Sequence, residues 1–378
     1  MACLKNIGPY SFIFCKTANN SNMGGHMVCR LVFALAILMT ISSSVFAGSV
    51  ELMSFNVENL FDTSHDEGHA DFEYLPINHP AKAPGCSEID NDYFRGKCFK
   101  TDWNDKILTQ KINAISEVVY REGRQTPDIL GLVEIENLAV ANRLKEKLGY
   151  TKAIITNGKD DRGINVGLLV RETGNLKYVE HNELEVSAPE MRKPTRNVLH
   201  VKFEVSKNKF LNVFVNHWPS QNNPSRDREM VAKQLIEFIE KLNSDGKTHF
   251  VAIVGDFNVV KTDNPHSINE VILAPQTGLV DVETKFRSSD FLRHSEMPPS
   301  SYYYRRGNDW NHLDKIIVSG NLLDGQSEEV LLDSFEIYAH PKYSRNSGAH
   351  RIPVRFEIRH GKAHGVSDHY PVSVKIKL

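Results

Sequence analysis

Cysteine is scarce in this chain, 5 residues in 378, which excludes a small scaffold held together by dense crosslinks. Long apolar runs are scarce too. The one that stands out, residues 31–41 (LVFALAILMTI), spans 11 residues, short of the ~20 that a helix needs to cross a bilayer. Positive charge is not in excess: 45 Lys and Arg face 47 Asp and Glu, a formal net charge of −2. A protein that coats nucleic acid by charge alone would be strongly basic, so that class is excluded. Internal repeats and low-complexity linkers are also missing. What is there, 40% hydrophobic, 24% charged and 9% aromatic residues, is the mix of a folded globular protein rather than a disordered, collagen-like or coiled-coil one. Length alone suggests two domains or one large sandwich or barrel.

The apolar run follows Arg30 and leads through small residues to Val45-Phe46-Ala47. A basic start, a short apolar stretch and a small-x-small ending predict a secretory signal peptide cut after Ala47. Residues 1–26 read as an upstream extension, with Met23 or Met27 as alternative starts of the signal. The remaining 48–378 is expected to be one mature domain, secreted or periplasmic, with no stable membrane association. It is 331 residues long with 42 basic and 47 acidic side chains, net −5. Cys86 and Cys98 are the two cysteines left in it. An even pair in an exported chain predicts a disulfide, whereas two cysteines without a His-rich partner tract make a poor zinc site.

Short runs rich in Val, Ile and Phe predict strands at 50–57, 128–133, 164–170, 198–205, 210–216, 249–255, 313–318 and 370–376. Apolar residues at helical spacing predict helices at 105–121 and 226–243, with a weaker one at 137–148. Many strands with few helices suggest packed sheets covered by helices. The polar stretch 62–104, with its Pro, Gly and both cysteines, reads as a long stapled surface loop.

Polar residues mark the ends of several apolar runs. Asn56 ends LMSFN, DILGLV runs into Glu134, LNVFVN into His217, and FVAIVG into Asp256 and Asn258. Asp314 opens DKIIVS, and Asp368 and His369 precede YPVSVKIKL. One strand-end acid is usually a cap or a turn residue; six such places converge on one crevice if the strands lie side by side. Carboxylates and amides suit a hard cation, Mg²⁺ with Mn²⁺ or Ca²⁺ as substitutes. Together with two histidines they fit attack of water on a phosphate ester.

The pieces MSFNVENLFD (53–62), DILGLVEIEN (128–137), FVNHWPSQ (214–221), VGDFN (254–258), LDKIIVS (313–319) and SDHYPV (367–372) resemble, in order, those of the endonuclease/exonuclease/phosphatase superfamily, which includes pancreatic deoxyribonuclease. The first two look most like bacterial exported nucleases of that superfamily. The resemblance implies an α+β fold, a four-layer αββα sandwich of two mixed sheets flanked by helices, as one domain. It also implies roles. Glu134 would be the main metal ligand with Asn56 beside it and Asp368 supporting. Asp256 would orient or deprotonate the attacking water, and Asn258 would hold the phosphate. His217 would stand near the leaving oxygen as acid or electrostatic partner. Asp314 would orient His369, which contacts the scissile phosphate, and Arg196 would grip a phosphate. Glu136 is set aside as a surface or capping residue, Asp263 and Asp281 as surface acids.

The substrate expected from the resemblance is DNA in preference to RNA, cut by a monomer. Between 341 and 364 six Lys and Arg stand against one acid, Glu357, a candidate phosphate-binding patch or a solvated loop. Tyr302–Tyr304 read as a sheet edge before base-stacking residues. Two alternatives differ in class. A lipid or inositol phosphate hydrolase of the same fold would show an apolar interfacial hairpin or, for inositol phosphatases, Trp-Cys-Asp-Arg where Trp310-Asn311-His312-Leu313-Asp314 stands. A catalytically inactive binding protein would have lost some of the six strand-end residues.

Overall fold

The chain alternates strand and helix, because apolar residues recur at every second position in some stretches and at every third or fourth in others. The structure is a computed structural model and describes residues 48–378 apart from 188–189, 192, 194, 290–296 and 349. The leader expected at 1–47 lies outside the described residues. The first half runs β1 (Ser49–Leu60), α1 (Lys82–Ser87), α2 (Asp92–Lys100), α3 (Asp105–Tyr120), β2 (Ile129–Ile135), α4 (Leu138–Leu148), β3 (Lys152–Ile155) and β4 (Asn165–Val170). The second runs β5 (Lys177–Leu184), β6 (Val198–Ser206), β7 (Lys209–His217), α5 (Ser225–Leu242), β8 (Thr248–Asp256), β9 (Leu279–Asp281) and α6 (Val282–Arg287). A hairpin of β10 (Tyr302–Tyr304) and β11 (Asp309–Asn311) precedes β12 (Asp314–Ser319) and β13 (Glu329–Ile337). Two more hairpins, β14 (Ser344–Ser347) with β15 (His350–Pro353) and β16 (Glu357–Arg359) with β17 (Lys362–His364), precede β18 (Val372–Lys377).

Two six-stranded sheets result, in the orders β13-β18-β1-β2-β4-β3 and β5-β6-β7-β8-β12-β9. Each has one parallel pair at its centre, β1 with β2 and β7 with β8, and antiparallel neighbours outside it. A parallel pair needs a crossover, and α3 and α5 supply it. Strands buried on both faces read as continuous apolar runs. Val50 and Leu52 of β1 and Val213 and Val215 of β7 join the core between the sheets. Met53 and Phe55 pack outward on α3 and α4, and Phe214 and Ile253 outward on α5. The four layers of the αββα sandwich follow. At Gly131 the sheets pack closely: a Cβ there would lie 3.2 Å from Val254 Cγ2 and 3.5 Å from Val215 Cγ2.

The helices α3 and α4 begin where side chains cap them. Asn104 Oδ1 accepts from the Ile107 amide at 3.1 Å and Asn137 Oδ1 from the Val140 amide at 3.1 Å. Ile107, Leu108, Ile112, Ile115, Val118 and Val119 are buried on one face of α3.

Some readings are corrected. The stretch 62–104 holds α1, α2 and a helical turn at Phe72–Tyr74, and Cys86–Cys98 joins α1 to α2. It resembles a loop in sequence because α1 (KAPGCS) contains Pro and Gly and α2 is polar. The helix α2 exposes Tyr93, Phe94 and Phe99. The basic stretch 341–364 is largely paired hairpins rather than a loop. Asp281 is buried, caps α6 and lies 2.8 Å from Lys315 Nζ, and Asp263 is 2.8 Å from Arg228.

Candidate active site

Register gathers one half of the site. In the parallel pair His217 lies opposite Asp256, and on the other side of β8 Asp314 lies opposite Asp256. Three neighbouring strands thus bring these side chains to one level. Gly255 permits this close pairing: its φ is +130°, and a Cβ would come 2.0 Å from the Asn216 carbonyl oxygen. The following turn places Asn258 at φ +51°. Its amide N–H donates to Asp256 Oδ1 at 2.9 Å, and its Nδ2 donates to the Trp218 carbonyl at 3.2 Å.

The other sheet supplies the second half. Its ladder breaks after Asn56 and Val133, and Glu134 takes φ +63°, a conformation rare for residues with a side chain. Asn56 Nδ2 donates to Asp256 Oδ2 at 3.1 Å and to Glu134 Oε1 at 3.3 Å, spanning the two sheets. The Asn56 oxygen is taken by the Glu58 amide at 3.0 Å. As it stands, Asn56 therefore orients the two carboxylates with its nitrogen and does not offer them a shared oxygen. Ser367 ties the last turn to this sheet, donating to the Asn56 carbonyl at 2.6 Å and accepting from the His369 amide at 3.0 Å.

Two imidazoles face the carboxylates. His217 Nε2 is 3.8 Å from Glu134 Oε1 and 3.9 Å from Asp256 Oδ2. His369 Nε2 is 3.9 Å from Asp256 Oδ2 and 3.9 Å from Asp368 Oδ1, while its Nδ1 is 2.6 Å from Asp314 Oδ2. Their charge states separate. Burial, followed by the charges of Arg196, Arg162 and His369, holds His217 well below the usual imidazole range. Burial also opposes charge on His369, but Asp314, by charge and hydrogen bond, with Asp256 and Asp368, outweighs it and holds His369 well above that range. Burial thus favours the neutral ring at His217, and the neighbouring carboxylates favour the cation at His369. Burial, with the charges of Asp314 and Glu134, pushes Asp256 up to about 7 against the pull of His369 and the Asn258 amide.

Sequence reasoning missed the supports. Ser301 Oγ donates to Asp314 Oδ2 at 2.6 Å, and Tyr302 packs on His369 with ring centroids 4.8 Å apart. Glu58, buried at φ +51°, accepts from Arg355 Nε and the Phe356 amide, both at 2.7 Å, and Arg355 reaches Asp368 Oδ2 at 3.3 Å. Buried Lys111 of α3 donates to the carbonyls of Glu58 and Val366 at 3.0 and 2.6 Å. The sequence pattern points to neither Glu58 nor Lys111, although Glu58 lies within the piece MSFNVENLFD (53–62). Glu136 is not at the surface: it is 2% exposed and accepts from the Asp62 amide at 2.7 Å. Arg196 is buried one layer back, with Nη2 on the Trp218 carbonyl at 3.0 Å and Nη1 on Asp160 at 3.2 Å.

Glu134, the expected main ligand, and Asp256, expected to act on the attacking water, share one amide donor and meet no Lys or Arg within 4.0 Å among the described residues. Among those residues no three His, Cys, Asp or Glu stand in a metal-holding cluster. Two unpaired carboxylates are still what a Mg²⁺ ion uses, since it keeps most of its water and leaves positions for phosphate oxygens. Asp368 is set apart from them by its pairing with Arg355.

The model of the endonuclease/exonuclease/phosphatase family matches residues 51–378. This chain belongs to that family. Its members are usually hydrolytic phosphoesterases and generally use divalent metals. Solved structures share the fold at low identity. A humanized D. rerio TDP2 with 14 mutations is 15% identical, with 87% of this chain and 99% of that chain covered and a TM-score of 0.53. A family protein from Bacteroides thetaiotaomicron is 17% identical, with 87% and 98% covered and a TM-score of 0.52. The human Nocturnin catalytic domain, solved with a bound sulfate anion, is 14% identical, with 88% and 94% covered and a TM-score of 0.52. Among curated proteins no match is found.

Proposed function

We propose that this chain is an exported, divalent-metal-dependent nuclease that hydrolyses phosphodiester bonds of DNA by in-line attack of water. The observation that carries this is the meeting of Glu134, Asp256, His217 and the His369–Asp314 pair within about 4 Å contacts at the seam of two sheets. Asp256, with its carboxyl near neutrality, takes the proton of the attacking water. His369, kept cationic by Asp314, sets positive charge against the phosphate and is the proton source for the leaving oxygen. Neutral His217 hydrogen-bonds the phosphate from the side of Glu134, and Asn258 fixes the direction of Asp256. Glu134 would hold the cation beside Asp256, and the cation when bound supplies a Lewis acid for a phosphate oxygen.

Exposed basic residues of the hairpins support a polyanionic substrate. Arg345 and Lys362 have no acidic partner among the described residues, and the adjoining Arg355 reaches Asp368 beside His369. The paired cysteines and the apolar run at 31–41 support export. Supercoiled plasmid with Mg²⁺ is the test: nicking that a chelator abolishes is expected, with slower cleavage of RNA. No nicking with Mg²⁺, Mn²⁺ or Ca²⁺, together with release of phosphate from lipid or inositol substrates, would move the reading to the other phosphoesterases of this fold.

A further inference from the structure

A cavity of about 430 Å³ opens beside the site, lined by Phe94, Arg162, Thr195, Arg196, Pro219 and Asp227 among others. It adjoins the catalytic residues through a single carbonyl: Arg196 Nη2 and Asn258 Nδ2 both donate to the oxygen of Trp218, the residue after His217. Two donors in its wall lack partners among the described residues. Thr195 Oγ1 and Arg196 Nε are buried without a hydrogen bond, in residues 4% and 8% exposed. Buried donors are normally satisfied, so these point to an acceptor supplied from outside. Arg162 touches Asp160 through Nε at 3.7 Å and makes no hydrogen bond with its guanidinium among the described residues. At the mouth, Phe94 is 54% exposed, with Tyr93 edge-on at 5.3 Å. An aromatic ring left to water at the rim of a polar cavity whose wall carries Arg162, the unpartnered Arg196 Nε and Thr195 Oγ1 is a place for a π-face joined to an anion. The helix carrying it, α2, is fixed to α1 by Cys86–Cys98.

We infer that this cavity binds the nucleotide next to the scissile phosphate, its base stacked on Phe94 and its own phosphate held by Arg162, Arg196 and Thr195. The inference rests on the phosphodiesterase reading and adds a subsite to it. The cavity is of the size that encloses small ligands, and buried Asp227 gives an acceptor for a donor of base or sugar. The stapled insertion, a loop to the eye in sequence, thereby becomes part of substrate selection.

The test separates binding from turnover. The deoxyribonucleoside 5′-monophosphate of 2-aminopurine is titrated into the full chain in excess chelator, and its fluorescence is read. Quenching on binding is expected, and Phe94→Ala and Arg162→Ala should each raise the Kd about tenfold, as loss of one stacked base or one charged contact does. Phe99→Ala, on the same helix but outside the cavity, should bind like wild type. Both substituted side chains are largely exposed, and a melting curve shows whether each variant folds. Wild-type Kd values for Phe94→Ala and Arg162→Ala, or equal weakening by Phe99→Ala, overturn the inference. If plasmid nicking occurs but quenching does not, the cavity proposal falls alone. Quenching without nicking leaves a nucleotide-binding cavity and removes the nuclease reading.

Discussion

Glu134 lies near the end of β2 and Glu136 just past it, two residues apart, and they live under opposite conditions. An undistorted strand would send both side chains to one side; the left-handed turn at Glu134 separates them. Glu136 enters a group of acids that the protein satisfies by itself. The Asp62 amide donates to Glu136, Asn137 to Asp62 and Asp66, and the Asp66 amide and His65 to Asp71. Glu134 shares the Asn56 amide nitrogen and the His217 imidazole with Asp256, and Asp256 faces His369 as well. Acids whose lone pairs are filled by neighbouring donors hold a loop in place. Acids left facing each other across a cleft are available for a cation and a substrate. The difference lies in the donors around them, not in the residue type.

The comparison breaks first at the catalytic group. Asp256→Asn and His369→Ala should each lower the cleavage rate by about 10³-fold or more, since each removes a proton-transfer or charge-stabilising partner. Their melting temperatures should stay near wild type, and near-normal rates in either would undo the distinction. Next, Glu134→Gln should raise the metal concentration for half-maximal rate by about tenfold or more, the loss of one charged ligand, whereas Glu136→Gln should leave it unmoved. A smaller effect is expected at the staple. Reduction of Cys86–Cys98 removes about 3 kcal/mol of stabilisation and should lower the melting temperature by several degrees while the rate at low temperature changes less. An unchanged melting point would show that α1 and α2 hold without it.

The smallest effect on cleavage is expected at Glu136, whose substitution shows instead in the pH dependence of stability. Burial, with the charges of Asp62, Asp66 and Asp71, raises the Glu136 carboxyl to about 9, against the pull of the Asp62 amide. A carboxyl raised above its unfolded value contributes stability that is full below about pH 4.5 and lost as pH rises through about 9. Glu136→Gln does not titrate. Its melting temperature should match wild type near pH 5 and exceed it by a few degrees near pH 9. A gap of the opposite sign would place an ionised carboxylate at 136.

Much of the frame was legible because burial on both faces makes strands such as FVAIVGD apolar throughout, with polar residues where they leave the core. The same logic hid β5, an exposed edge strand (KYVEHNEL) with few apolar residues, and the short helices of 62–104. The site residues were legible one by one. Their grouping was not, because the alignment of His217, Asp256 and Asp314 depends on one parallel and one antiparallel register. Buried charges were least legible: Glu58, Lys111 and Glu136 are polar in sequence, and the backbone groups around them, with Arg355 at Glu58, keep them inside.

A Mn²⁺ titration followed by the paramagnetic resonance of the free ion, run beside DNA cleavage on the same samples, tests most directly whether Glu134 holds a cation for phosphodiester hydrolysis. Uptake of Mn²⁺ by the wild-type chain, with cleavage rising in step and both lost in Glu134→Gln, is the predicted result. Cleavage that continues undiminished in excess chelator, or Mn²⁺ uptake equal in Glu134→Gln and wild type, would contradict it.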